Sequence, residues 1–257
     1  MDIRLKERFM GLWERYFNGA PLPIVFFYTD QEGVAPRVKP PKTGHRCVYA
    51  DIYKATKGKS LCLDKDSFGC FGGKRYLGYT QEFMPDFEYF LSCGIPGKIE
   101  GERYKKSPDL VKKYVEAMPE FNAPSRYIVF KRWDMLEEGD NPDVVIFFGT
   151  PDVISGLFTL SSFDIDDLNG VKTPFGAGCA TIVLYPYLER NSDKPKAIIG
   201  TFDVSARPCI PSNNLSFAVP MNRFVTMIEN MEESFLTTDS WAKVSKRIKN
   251  EMKKTGK

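Results

Sequence analysis

Six cysteines and a single histidine carry most of the chemistry open to this chain. The cysteines are Cys47, Cys62, Cys70, Cys93, Cys179 and Cys209. No two form the Cys-x-x-Cys pair of zinc ribbons and ferredoxin-type clusters, so linear spacing does not by itself mark a metal. Their neighbours say more. Cys47 opens a predicted helix, and Cys70 stands among Gly69, Gly72 and Gly73. Cys93 precedes Gly94 and a Pro-Gly turn, and Cys179 follows Gly176-Ala177-Gly178 at another predicted helix start. A helix N-terminus favours a thiolate through its free amides and its dipole. Glycines let backbone N–H groups approach sulfur or an anion closely. Should these residues converge, Cys47, Cys70 and Cys179, with Cys93 or Cys209 as a fourth, would hold an iron–sulfur cluster or another thiolate-bound metal. Otherwise each is a small buried hydrophobe, which suits Cys62 between Leu61 and Leu63.

A second chemistry needs no metal. The loop Gly72-Gly73-Lys74-Arg75 offers backbone amides and two cations to an anionic small molecule, and Arg207 follows a predicted strand where α/β folds often bind ligands. Phe71, Tyr76 and Tyr79 would cover the apolar part of that molecule. The loop is neither a Walker loop nor a dinucleotide fingerprint. A third possibility is thiol redox chemistry between two cysteines that meet in the fold. His45, being alone, rules out a multi-histidine zinc site; a Cys-His dyad would have to pair it with Cys47, two residues on. No catalytic signature in the chain specifies a reaction.

The elements that position these residues alternate along the chain. Phe9, Leu12, Trp13, Tyr16 and Phe17 predict an amphipathic first helix over residues 2–18. Ile24–Phe27 reads as a buried strand, and residues 30–45 as a mobile Pro/Gly loop. Residues 46–56 read as helix, 59–80 as glycine-rich loop and 81–93 as a short helix. Ser107-Pro108 predicts a capped helix start. Strands are predicted at 127–130, 144–148, 197–202 and 216–219, with helices from Thr150, after Gly178, at 222–235 and at 239–253. The result is an α/β or α+β organisation: a mixed β-sheet flanked by helices, with the N- and C-terminal helices packing on it. No repeat or low-complexity segment is present.

Composition excludes several partners. A net charge of +3 is too small to argue for nucleic acid. The basic run Lys243, Lys246, Arg247, Lys249, Lys253 and Lys254 suits the solvated face of a last helix. No stretch is apolar enough to span a membrane, and the N-terminus lacks the apolar core of a signal peptide. A cytoplasmic protein with reduced thiols is expected, without nucleic-acid or membrane partners. Aromatics reach 14%, with 20 Phe and 12 Tyr; many are expected in the core, and a surplus could line a ligand pocket.

Several of these motifs together resemble DUF169, a family known only as a domain of unknown function. They are Arg46-Cys47, Gly69-Cys70-Phe71-Gly72-Gly73 with Leu77-Gly78, Val144 to Pro151, Cys179-Ala180, and Asp203-Val204-Ser205-Ala206-Arg207 leading to Val219-Pro220. The resemblance spans nearly the whole chain and implies one domain, 1–257. It brings no reaction with it, but it places Cys47, Cys70 and Cys179 in family-like motifs. It also implies a cysteine close before the Arg of the Ser-Ala-Arg segment. Here Asp203-Val204-Ser205 takes that place and Cys209 follows the Arg, so Cys93 and Cys209 compete as fourth ligand.

Overall fold

The computed structural model describes the backbone of residues 1–255 and the side chains of residues 1–251. Its strands are β1 (Ile24–Thr29), β2 (Leu61–Leu63), β3 (Tyr127–Arg132), β4 (Val144–Gly149), β5 (Val171–Lys172), β6 (Ala197–Gly200) and β7 (Leu215–Pro220). They form one seven-stranded sheet in the order β2-β3-β1-β4-β7-β6-β5. β5 and β6 run parallel; the other pairs are antiparallel, which makes the sheet mixed.

The helices are α1 (Ile3–Tyr16), α2 (Val48–Tyr53), α3 (Phe71–Tyr76), α4 (Phe87–Phe90), α5 (Pro108–Glu116), α6 (Pro151–Leu160), α7 (Tyr185–Glu189), α8 (Met221–Asn230) and α9 (Asp239–Thr255). A π-helical stretch, Ala180–Leu184, leads directly into α7. The side chains of Lys253 and Lys254, assigned above to the basic face of the last helix, lie outside the described ones.

Side chains alternate across a strand, and here both faces are covered. Ile24 and Phe26 of β1 join Val144, Ile146 and Phe148 of β4 in one core, under α2, α3 and the π-helical stretch. Val25, Val145, Phe147, Phe217 and Val219 point the other way, into a core closed by α1, α6, α8 and α9. The terminal helices therefore pack together on one face, as the sequence predicts. There Trp13 stacks on Phe17 with centroids 4.2 Å apart, and the Trp241 indole donates to the Tyr16 carbonyl at 2.9 Å.

Four local expectations need correction. Residues 59–80 are not all loop, because Leu61–Leu63 is a strand and Phe71–Tyr76 is a helix with Cys70 as its N-cap. The helix expected over 81–93 shrinks to α4: Pro85 cannot donate into a helical ladder, and Asp86 turns left-handed at φ 57°. β6 ends at Gly200 rather than Phe202, because Thr201 adopts φ 70° and turns its hydroxyl to Ser216 at 2.8 Å and to the Tyr49 hydroxyl. The 30–45 segment is partly anchored, since Pro36 and Val38 exchange backbone hydrogen bonds with Cys62, each 2.9 Å long.

One glycine tests the packing of the helical face. A Cβ on Gly156 of α6 would lie 2.3 Å from the Trp241 ring and 2.8 Å from Phe17. Gly11, exposed on α1, has nothing within 4 Å of that position. Gly156→Ala should lower unfolding stability by about 1–3 kcal/mol through overpacking. Gly11→Ala should raise it by about 0.5–1 kcal/mol through helix propensity. Urea unfolding followed by circular dichroism measures both.

Candidate functional site

Three segments distant in sequence meet on the α2/α3 face of the sheet. The first two are joined by a backbone bridge, Arg46 N–H to Gly69 O at 3.2 Å. That approach requires glycine, since a Cβ on Gly69 would lie 2.9 Å from Arg46 Cβ and from Pro41. Gly73 is equally constrained: its Cβ would sit 2.6 Å from Val48 Cγ1 and 2.8 Å from Cys70 Sγ. Gly73 thus serves the contact of α3 with α2, and Gly69 the approach of the chain before it to Arg46 and Pro41. The third segment, Gly176 to Cys179, is held by Asp203, whose carboxylate accepts from the Gly178 amide at 2.9 Å and from the Ser205 amide and hydroxyl at 3.0 and 2.8 Å.

Between these segments lies a cavity of about 600 Å³, within the range of small-molecule sites. Cys47, Cys70 and Cys179 all line it. Phe71 and Phe175 stand at its sides with Phe202 and Val204, and Phe83, Phe87 and Phe90 contribute from the chain that follows α3. Sequence reasoning did not assign Asp203, Glu82, Glu102 or Tyr104 to a site, though all four line this one. For Asp203 a signal existed, its position just past the carboxyl end of β6. For the others only the aromatic surplus pointed to a walled pocket.

The sulfur of Cys70 accepts a hydrogen bond from the Gly73 amide at 3.3 Å. It therefore satisfies a free donor at the start of α3. Nearby amides favour the thiolate, but burial outweighs them and the Cys70 thiol is pushed up from its ordinary value. Cys179 is pushed well up, first by burial and then by proximity to Cys70 and Cys47. Cys209 contacts the Cys47 side chain, and burial raises its thiol to about 11. These four cysteines pack against one core, and all six are free thiols. Among the described residues no group of three or more His, Cys, Asp and Glu is arranged to hold a metal ion.

The other sequence candidates are placed apart from this cluster. Cys93 is exposed and does not line the cavity; its thiol donates to the Gly94 carbonyl at 3.5 Å. Cys62 is buried beneath Val34 and Ala35 away from that core, its thiol pushed up to about 11 by burial. Gly72 and Gly73 line the cavity, and so does Arg75, while Lys74 and Tyr79 do not. Arg75 Nη1 donates to Gln81 O and Oε1 at 2.8 and 3.1 Å, with the guanidinium 4.0 Å above the Phe83 ring. Arg207 is also absent from the lining. Its guanidinium binds the Ser212 and Asn214 carbonyls, tying its own loop. Arg207 and Arg75 therefore do not face each other across the cavity. His45 lines the mouth, with no hydrogen bond to Cys47.

Thiol reactivity should follow this geometry. Alkylation with iodoacetamide at about pH 8, mapped by peptide mass spectrometry, should label Cys93 first and Cys62 and Cys179 last. Labelling of Cys209 should climb roughly tenfold per pH unit, because only the thiolate reacts, and level off near its raised value of about 11. Fast labelling of Cys179 in the folded protein would contradict its burial.

No helix among the described residues is long and apolar enough to cross a membrane. No curated protein and no solved structure matches the chain. One family model does, that of DUF169, described as Uncharacterised ArCR, over residues 17–230. That span contains every lining residue of the cavity and all six cysteines, and the chain belongs to the DUF169 family.

Proposed function

We propose that the protein binds a small organic molecule in this cavity, with its apolar part against the aromatic walls and one end toward the thiols of Cys47, Cys70 and Cys179. A single observation carries this reading. Phe71, Phe175, Phe202 and Val204 are 55%, 52%, 57% and 69% exposed, and all four line the same cavity. Clustered exposed apolar side chains around one concavity signal a ligand, whereas scattered ones need no explanation. Water in such a space gains few hydrogen bonds, so an apolar ligand displaces it favourably.

Gly72 provides the test. It lines the cavity, and a Cβ there meets only the Tyr76 ring, at 3.6 Å. Gly72→Leu should therefore fold and fill the space. Nile red, a neutral solvatochromic dye, should bind the native protein at one site. The Leu side chain would take volume the dye needs, so the variant should bind it about tenfold or more weakly, a loss of about 1.4 kcal/mol or more. Absence of dye binding, or equal binding by Gly72→Leu, would refute the reading.

A thiolate-held iron–sulfur cluster or other metal is the second reading. It is favoured by the proximity of Cys179 to both Cys70 and Cys47, with Cys209 against Cys47. It requires these thiols to turn toward one centre, where the Gly73 amide would remain a donor to the Cys70 thiolate. Anaerobic reconstitution with iron and sulfide, followed by metal analysis and visible absorption, tests it. The expected pattern is retention by Cys62→Ala and loss in Cys70→Ala. A colourless, metal-free native protein would end this reading.

A further inference from the structure

Resting on the small-molecule reading above, we infer that the ligand of this cavity is an organic cation of the aryl-ammonium class. The first line of argument is the placement of charge. The cations nearest the cavity, Arg75 and Lys105, are already seated on its rings. Lys74 does not line the cavity, and Arg207 is bound to carbonyls of its own loop. Arg75 is engaged by Gln81 and lies on Phe83. Its Nε is buried, with no hydrogen-bond partner.

Carboxylates outnumber cations in the lining. Glu82, Glu102 and Asp203 are present against Arg75, with the Lys105 ammonium on the Phe175 and Tyr114 rings of the wall. Asp203 is satisfied by the Gly178 and Ser205 donors. Glu82 and Glu102 are exposed at the mouth, and neither side chain has a hydrogen bond or ion pair. Two unpaired carboxylates beside an apolar concavity raise the local concentration of cations and repel anions.

The walls agree with the charge. Aromatic faces attract cations through the ring quadrupole, and aromatic cages are a known solution for quaternary ammonium groups. The rings of this cavity already do so within the chain. Arg75 lies over Phe83, and Lys105 Nζ sits 4.1 Å from the Phe175 centroid and 5.0 Å from that of Tyr114. All three rings line the cavity. A weakly hydrated ammonium group would lose little by leaving water, and would gain ring faces and two carboxylates at the entrance.

Three probes of one shape separate the possibilities: phenyltrimethylammonium, tert-butylbenzene and benzenesulfonate. Each is a phenyl ring with a tetrahedral head, charged positive, neutral and negative respectively. Binding is measured by ligand-observed NMR titration at low salt, where charge is least screened. Phenyltrimethylammonium should bind about tenfold tighter than tert-butylbenzene, with benzenesulfonate weakest. In the double variant Glu82→Gln, Glu102→Gln, whose substituted side chains are exposed, the cation should fall toward the neutral probe while tert-butylbenzene is unchanged. Equal binding of all three, tightest binding of the sulfonate, or an undiminished cation preference in the double variant would overturn the charge assignment and leave the cavity reading intact. Failure of all three probes to bind would overturn both.

Discussion

The central strands of the sheet are buried on both sides, and the rest of the molecule answers that constraint. Every residue of β4 is buried. Such a strand needs a cover on each face, because exposing either row of Val, Ile and Phe costs roughly 1.5–3 kcal/mol per side chain. The two covers differ in kind. One is made of regular helices, with α1 of 14 residues, α6 and α8 of 10 and α9 of 17. The other uses pieces of 6, 6 and 4 residues, α2, α3 and α4, with a π-helical insertion before α7. Long helices fill a face evenly. Short ones end often, expose their terminal donors and leave gaps between them, and the cavity occupies such a gap.

At the cysteine side of that gap, two opposing effects act on the same sulfur. Cys70 receives the Gly73 amide, as a stabilised thiolate would. Burial nonetheless prevails and pushes the thiol up from its ordinary value. A thiol sulfur is a weak acceptor, and this one caps the start of α3 at little desolvation cost.

Much of this was legible in the sequence, and what was not has physical causes. The apolar runs Ile24–Phe27 and Val144–Phe148 and the helical spacing of Phe9, Leu12 and Trp13 are local patterns, and the structure follows them. β2 escaped because three residues, Leu61–Leu63, carry no periodicity. α3 escaped because glycines at 72 and 73 signal a turn by propensity, whereas the contact with Val48 that makes Gly73 necessary is tertiary. Cys47, Cys70 and Cys179 were singled out by their glycine and helix-start contexts, and they do share a cavity. Cys93 has a similar context, but its turn faces solvent. Arg207 was read as a partner for an anionic ligand because sequence does not disclose that Ser212 and Asn214 carbonyls would return to it.

The wall formed by residues 81–105 is bonded mainly to itself. Glu102, Arg103 and Lys105 donate to the carbonyls of Phe90, Ser92 and Leu91 at 2.7, 3.0 and 3.1 Å, and Lys98 pairs with Asp86 at 2.6 Å. Its polar ties outward include the Gln81 amide to Asn122 at 3.0 Å and the Ser205 amide to the Tyr104 hydroxyl at 3.1 Å. α4 contributes no buried residue. Hydrogen bonds of this kind are worth about 0.5–1.5 kcal/mol each, and segments with few buried apolar contacts open at free energies well below that of global unfolding. The opposite side, where α2 and α3 pack into one core on the sheet, cannot yield without disturbing it. Under the small-molecule reading the yielding side is therefore the wall that carries Glu82, Phe83 and Glu102, and a ligand entering there would pass those carboxylates first.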